Sequence, residues 1–473
     1  MKKFTKILLI GCLLVTVSCN NWLDVEPKSQ VKDKDLFASE MGFKEALSGV
    51  YSLMTKEALY GKELTFGWLG VLGQEWTSVP YNYEDDQKYD FENAASEVRI
   101  DSVWTGLYNA IANANKLLKE LEGKENLFSG DNYFIIKGEV LALRAYLHFD
   151  LLRIFGASCT VGMERIAIPY VTEYAPTIFP QEKVGDFVGK VLKDLQDAAK
   201  CLENDPILTG RTVSEIDDNG YLMNRQVHLN YYAVKGLMAR VYLYKGDYAN
   251  AEVCAKEVIG SGCFEWVKQE NLTNESVADL TFSTEHLFAL NIVTLGNIVD
   301  KYLDGGNNSF ALEESRLSEY YGSSYDYRYL YLFKTGVGMS NTLRYLKKYD
   351  QLESVSWAQS YRNKLPLICL PEMYYILAEC RYHSSGDVLE PLNEVCRHRG
   401  VADLSEADLS AFETLLLAEY RKEVIGGGQL FFQYKRLNRS VVPGTDVDLA
   451  GEGRYVIPMP KEELENPGWV SNQ

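Results

Sequence analysis

The sequence predicts a mainly α-helical fold of paired antiparallel helices, and three stretches carry that prediction. Val103, Leu107, Ile111, Ala114, Leu118 and Leu121 recur at intervals of three and four, which aligns them along one face of a helix. Val140, Leu143, Leu147, Leu151 and Ile154 repeat the pattern and stop at Gly156, a helix terminator. Gly130 and Asp131 between them are turn residues, so the two stretches pair as a hairpin. The third stretch is sharper: Ala239, Tyr242, Gly246, Tyr248 and Ala251 have the small–aromatic–glycine–aromatic–small spacing of a tetratricopeptide-type hairpin. Small residues let the helices approach, Gly246 makes the turn, and the tyrosines fill the groove.

Taken from its start, the chain opens with Lys2, Lys3 and Lys6, an apolar run from Ile7 to Val17, then Ser18 and Cys19. This is the layout of a signal peptide (residues 1–18) whose removal leaves a cysteine first, available for acylation. The run is shorter than the roughly 20 apolar residues a membrane span requires, so the expectation is a chain anchored to a membrane at Cys19 rather than one that crosses it. Cys12 is a rival lipid site, but cleavage there would cut the apolar run too short. Residues 19–34 read as a polar tether containing Pro27, and residues 35–473 as one domain. Beyond the hairpins above, residues 370–382 and 387–397 form another, broken at Ser384, Ser385 and Gly386. A further helix over 407–425 stops at Gly426, Gly427 and Gly428. Long insertions separate the hairpins, so the domain reads as a helical-repeat scaffold carrying loop-rich insertions.

Two insertions are the expected seat of function, because loops on a rigid scaffold usually carry it. Residues 60–101 hold Trp68, Trp76, Tyr81, Tyr83 and the acidic residues Glu84, Asp85 and Asp86. Residues 265–365 contain an alternating segment from His286 to Ile292, which predicts a short strand, and a tyrosine-dense stretch from Tyr320 to Tyr331. The acidic run from Glu84 to Asp90 offers oxygen donors suited to calcium, but it lacks the glycine-punctuated spacing of a calcium loop. A solvated acidic loop is expected there, and no cofactor.

Composition narrows the function classes. The formal net charge of −18 repels nucleic acid and anionic headgroups. With 32 tyrosines and 7 tryptophans the chain suits a binder, since a flat apolar ring with a polar tip makes a good contact surface, although many of these rings will pack between helices. The seven cysteines beyond residue 19 form no CxxC pair and read as buried thiols. No GxSxG elbow, HExxH helix, phosphate-binding GxxxxGK[ST] loop or complete GxGxxG is present, and the five histidines are scattered. His148, between Leu147 and Phe149 in a helix, reads as packed. No enzymatic activity is expected.

The order of segments resembles the SusD/RagB family of outer-membrane lipoproteins. Cys19, Trp22, Leu23, Asp24 and Pro27 resemble its mature start, and Trp104 to Asn115 its first long helix. Gly138 to Gly156 is similar to its most recognisable segment, and the Tyr242–Gly246–Tyr248 hairpin to its repeat helices. Leu370 to Glu379, Leu392 to Val395, Ile457 to Pro460 and Asn466–Pro467 continue the likeness in order. The chain departs from the common pattern at Gly427, Gly428, Leu430 and Gln433, and at Glu372 or Met373 where an arginine is usual.

The resemblance implies a SusD-like α-helical domain, held by acyl chains such as palmitate on the outer face of the outer membrane. It implies capture of oligosaccharides for a SusC-like TonB-dependent transporter, by binding and lid closure. Alternatives from other classes are a peptide-capturing relative, a lipid-anchored helical scaffold and, more distantly, a surface glycosidase. A sugar ring exposes C–H groups on one face and hydroxyls at its edge, so aromatics and carboxylates are the side chains to seek. The candidates are Trp76, Tyr81, Tyr83, Asp85 and Asp86 in the first insertion and Tyr320, Tyr321, Tyr325 and Arg328 in the second, with an Arg328–Asp326 ion pair as the competing reading of that arginine.

Overall fold

The computed structural model describes residues 34–210, 220–274, 276–336, 342–351 and 361–472. The signal segment, Cys19 and nearly all of the tether lie outside these residues. Within them run twelve helices of seven or more residues: α1 (Glu40–Met54), α2 (Ala94–Leu121), α3 (Asn132–Phe155), α4 (Val184–Cys201), α5 (Tyr231–Lys245), α6 (Tyr248–Ile259), α7 (Leu295–Tyr302), α8 (Glu314–Tyr321), α9 (Leu370–His383), α10 (Leu389–His398), α11 (Phe412–Val424) and α12 (Leu430–Arg436).

Local chemistry sets several boundaries. The Asn93 side chain caps α2 by accepting the Ser96 N–H at 3.0 Å, and Asn230 caps α5 through the Ala233 N–H at 3.0 Å. Gly246 ends α5 in the left-handed conformation, φ 81°, as the repeat spacing requires. The predicted helix over 407–425 begins with a single 3-10 turn (Asp408–Ala411) and continues as α11 up to the glycine run.

The helices stack as a ladder: α2 on α3, α3 on α4, α4 on α5, α5 on α6, α6 on α9, and α9 on α10 and α11. The α2 stripe behaves as its spacing predicts. Helix α3 differs: it is buried almost all round, because α2 covers one side and α4 the other. Its charged residues are matched inside rather than solvated. Arg144 makes two 2.7 Å bonds to Asp194, Glu139 meets Arg225 at 2.7 Å, and Asp150 accepts from Tyr60 Oη at 2.7 Å. Burial alone would raise the Glu139 carboxyl, but His228 and Arg225 beside it hold it at about 2. His148 is packed, as expected. Its ring stacks on Tyr170 with centroids 3.9 Å apart, and burial lowers its pKa to about 3.

Among the described residues three small antiparallel sheets decorate the ladder: β1 (Ile166–Pro169) with β2 (Gln181–Lys183), β3 (His286–Asn291) with β7 (Lys364–Cys369), and β4 (Leu312–Glu313), β6 (Leu343–Leu346) and β5 (Phe333–Thr335) in the order β4–β6–β5. Strand β3 is the alternating segment of the second insertion, with His286 opposite Cys369 and Asn291 opposite Lys364. One continuous apolar core runs from Phe37 to Met459, with a satellite under α9–α11 and another beneath the second insertion. The expectation of buried thiols holds for Cys254, Cys380 and Cys396, whereas Cys159, Cys201 and Cys369 are half-buried and Cys263 is exposed. Among the departures from the family pattern, Glu372 of α9 holds Arg240 of α5 through two 2.6 Å bonds, and Gln433 accepts from Arg436 Nε at 3.1 Å within α12.

Candidate functional site

The two insertions meet at a short main-chain seam. Thr77 N–H and Ser78 N–H both donate to Ala311 O at 3.0 Å, and Ala311 N–H returns a bond of 3.0 Å to Ser78 O. Glu313 N–H donates to Thr77 Oγ1 at 2.7 Å. Strand β4 and helix α8 follow directly, so the first insertion is fixed beside the start of the tyrosine-rich one.

Below the seam is a floor of buried rings. Trp76 Nε1 donates to Phe66 O at 2.7 Å, and its indole lies 6.0 Å from the Phe310 ring. Tyr83 Oη donates to Glu63 Oε1 at 2.7 Å; its ring meets Phe310 edge-on and lies 3.9 Å from the Arg99 guanidinium. Asp86 pairs with Arg99 and accepts from Trp68 Nε1 at 3.0 Å and Ser96 Oγ at 2.9 Å. Burial pushes its carboxyl up to about 6 against the pull of Arg99.

This floor corrects the candidate set. Trp76, Tyr83 and Asp86 are interior residues whose polar atoms are spent on the fold. Tyr321 is also buried and donates its hydroxyl to Lys422 O at 3.0 Å. Arg328 is almost fully buried: it bonds Asp326 at 2.7 and 2.9 Å and Glu423 at 2.9 Å, so the ion-pair reading is the right one. The acidic run splits in the same way, with Asp85 exposed and Asp86 turned inward. Among the described residues no group of three or more His, Cys, Asp or Glu is placed to hold a metal ion.

What remains at the surface is Tyr81, 87 % exposed, Asp85, Tyr325, 76 % exposed, and half-buried Tyr320, whose ring lies 4.2 Å from the Arg421 guanidinium. Next to the floor are residues the sequence pattern did not single out. Lys62 Nζ lies 4.6 Å over the Tyr302 ring, and Tyr302 Oη donates to Glu57 Oε2 at 2.8 Å. Their association joins segments about 240 residues apart, which no local spacing reveals.

A ladder of helical hairpins with two loop insertions locked side by side, and rings presented on them, is the architecture of a loop-borne binding protein. Residues 21–243 match a SusD-like family model described as starch-binding and associating with the outer membrane. The fold matches a SusD superfamily protein from Bacteroides thetaiotaomicron with a TM-score of 0.73 at 21 % identity, covering 92 % of this chain and 100 % of that one. Surface glycan-binding protein A from Bacteroides fluxus matches with a TM-score of 0.68 at 17 % identity, over 92 % and 98 % of the two chains. A SusD-like protein of Formosa agariphila is 24 % identical over 269 residues, 56 % of this chain and 47 % of that relative. The aligned part thus spans about half the length of that curated relative. The chain is thus similar to SusD-like proteins in sequence over residues 21–243, and to SusD superfamily structures in fold. No helix among the described residues is long and apolar enough to cross a membrane.

Proposed function

We propose that this protein is a cell-surface lipoprotein that captures oligosaccharides and passes them to a SusC-like TonB-dependent outer-membrane transporter. The observation that carries this reading is Tyr81, an almost wholly exposed ring on the 3-10 turn Tyr81–Tyr83, whose other end is anchored by Tyr83 in the aromatic floor. A ring left bare on a fixed base is suited to cover the apolar face of a sugar, and exposed Asp85 can accept hydrogen bonds from hydroxyls. Tyr320 and Tyr325 are the partners proposed from the second insertion. The family description and the glycan-binding name of one structural relative support the saccharide class. Delivery to a transporter rests on the family resemblance.

Calorimetric titration with malto-oligosaccharides, other oligosaccharides and peptides tests the ligand. Saccharide binding is expected to weaken by about tenfold in Tyr81→Ala, in line with a loss of roughly 1–1.5 kcal/mol for a stacked ring, while the thermal midpoint stays unchanged because the ring packs on nothing. Binding of peptides alone, or an unaffected Tyr81→Ala variant, counts against the proposal. The address is tested separately: Cys19→Ala is expected to move the protein from the membrane pellet to the soluble fraction.

A further inference from the structure

Two hollows adjoin along one face of α2, away from the seam. The single 3-10 turn Lys461–Glu465 lies across the helix between them, with Lys461 paired to Glu97 and Trp104 Nε1 donating to Glu463 Oε1 at 3.0 Å. The first hollow, about 480 Å³, rests on Glu97, Ile100 and Asp101 of α2; the second, about 360 Å³, on Trp104, Thr105 and Tyr108. These positions fall at helical spacing on one face, so both hollows share a single wall.

Their chemistry is unlike. Asp90, Glu92, Glu97, Asp101 and Glu462 line the first, against Arg454 and Lys461. Both cations already face carboxylates, Arg454 at 3.2 Å from Glu452 and Lys461 on Glu97, which leaves the hollow net negative. The carboxyl of Asp101 is raised by burial and by the charges of Glu462 and Glu97. The second hollow is aromatic: Trp104, Tyr108, Phe179 and Trp469, with Ile178, 54 % exposed, at its edge. Its ring polar atoms are spent within the protein, Tyr108 Oη on Pro169 O at 2.9 Å and Trp469 Nε1 on Phe179 O at 3.2 Å. The ring walls offer apolar contact; the polar side chains that also line this hollow are Thr105, whose hydroxyl donates to Asp101 O, Thr177, Glu463 and Asn466.

We propose that this face of α2 is a docking surface for a polypeptide segment of a partner protein, one carrying a lysine or arginine and, about three residues on, an aromatic side chain. Charge complementarity selects the first side chain, since a cation entering the acidic hollow relieves crowding among Glu97, Asp101 and Glu462. The apolar groove selects the second. The spacing follows from the helix: seven residues separate equivalent positions in the two hollows, roughly 10 Å, which an extended peptide covers in about three residues. The proposal does not depend on the saccharide reading.

Calorimetry on the whole protein with three short peptides decides it. Ac-Lys-Gly-Gly-Trp-NH2 is expected to bind at least about tenfold more tightly than the matching Glu–Trp or Lys–Ala peptides, and to weaken with salt. Ile178→Asp, a change at an exposed position, is expected to abolish binding with the melting curve intact. The double variant Glu97→Gln, Asp101→Asn is expected to erase the preference for Lys over Glu. No measurable binding of the Lys–Trp peptide, equal binding of the Glu–Trp peptide, or undiminished binding to Ile178→Asp each overturns the proposal. So does an oligosaccharide whose binding is lost in Ile178→Asp.

Discussion

Arg399→Ala is expected to destabilise the fold by about 3–5 kcal/mol, the usual consequence of leaving buried carboxylates without their cation. Arg399 is fully buried and serves two acids at once: Glu285 at 2.6 and 2.9 Å and Glu423 at 2.8 and 3.0 Å. Burial raises the Glu285 carboxyl despite Arg399, whereas Arg399 and Arg328 overcome burial at Glu423 and hold it well below the usual range. These contacts tie the end of α10 and α11 to the turn before β3, and through Arg328 to Asp326 in the second insertion. Arg399→Lys is expected to rescue little, because one ammonium cannot supply this forked set of bonds. Urea unfolding followed by tryptophan fluorescence measures the effect, and a loss below about 1 kcal/mol would contradict it.

The second large effect concerns pH. Glu75 is buried, accepts the Gly426 N–H at 2.7 Å on Oε2, and has no partner for Oε1. Burial pushes its carboxyl up to about 8, and Lys348 and Arg421 only partly oppose this. The unfolded chain loses this proton near 4.5, well before the folded one does, so the folded state binds more protons across that window. Stability is therefore fully retained below about 4.5, falls as pH rises, and by about pH 8 has lost an amount on the order of 4 kcal/mol from this group. Glu75→Gln keeps an acceptor for Gly426 and cannot ionise. It is expected to match the parent at pH 5 and to exceed it in stability at pH 8. Parallel pH profiles of parent and variant in denaturant titrations would refute this.

Periodicity was a reliable guide where one face of a helix is apolar, as in α2, or where small and aromatic residues alternate around a glycine, as in α5 and α6. At α3 it found the helix and its end at Gly156 but not that the helix is buried almost all round, because the partners of Glu139, Arg144 and Asp150, namely Arg225, Asp194 and Tyr60, come from elsewhere in the chain. The same blindness governed the binding set. Trp76 and Tyr83 sit among polar residues and read as exposed, yet Phe66 O and Glu63 draw their polar tips inward. Tyr81, two residues from Tyr83, has nothing to draw it in. The acidic–aromatic face of α2 was hidden for a different reason. Its far walls come from residues 169–179 and 454–469, about 60 and more than 340 positions later in the chain.

The seam between the insertions is made almost entirely of peptide N–H and C=O groups, with the Thr77 hydroxyl the one side-chain contributor. Peptide groups are the same whatever residue bears them. Exposed side chains around the joint are therefore free to change under selection without breaking its bonds, so long as the buried rings that meet at Phe310 beneath it are kept. A scaffold built this way can diversify what it recognises by substitution at positions such as 81, 85, 320 and 325 while the frame that presents them keeps its register.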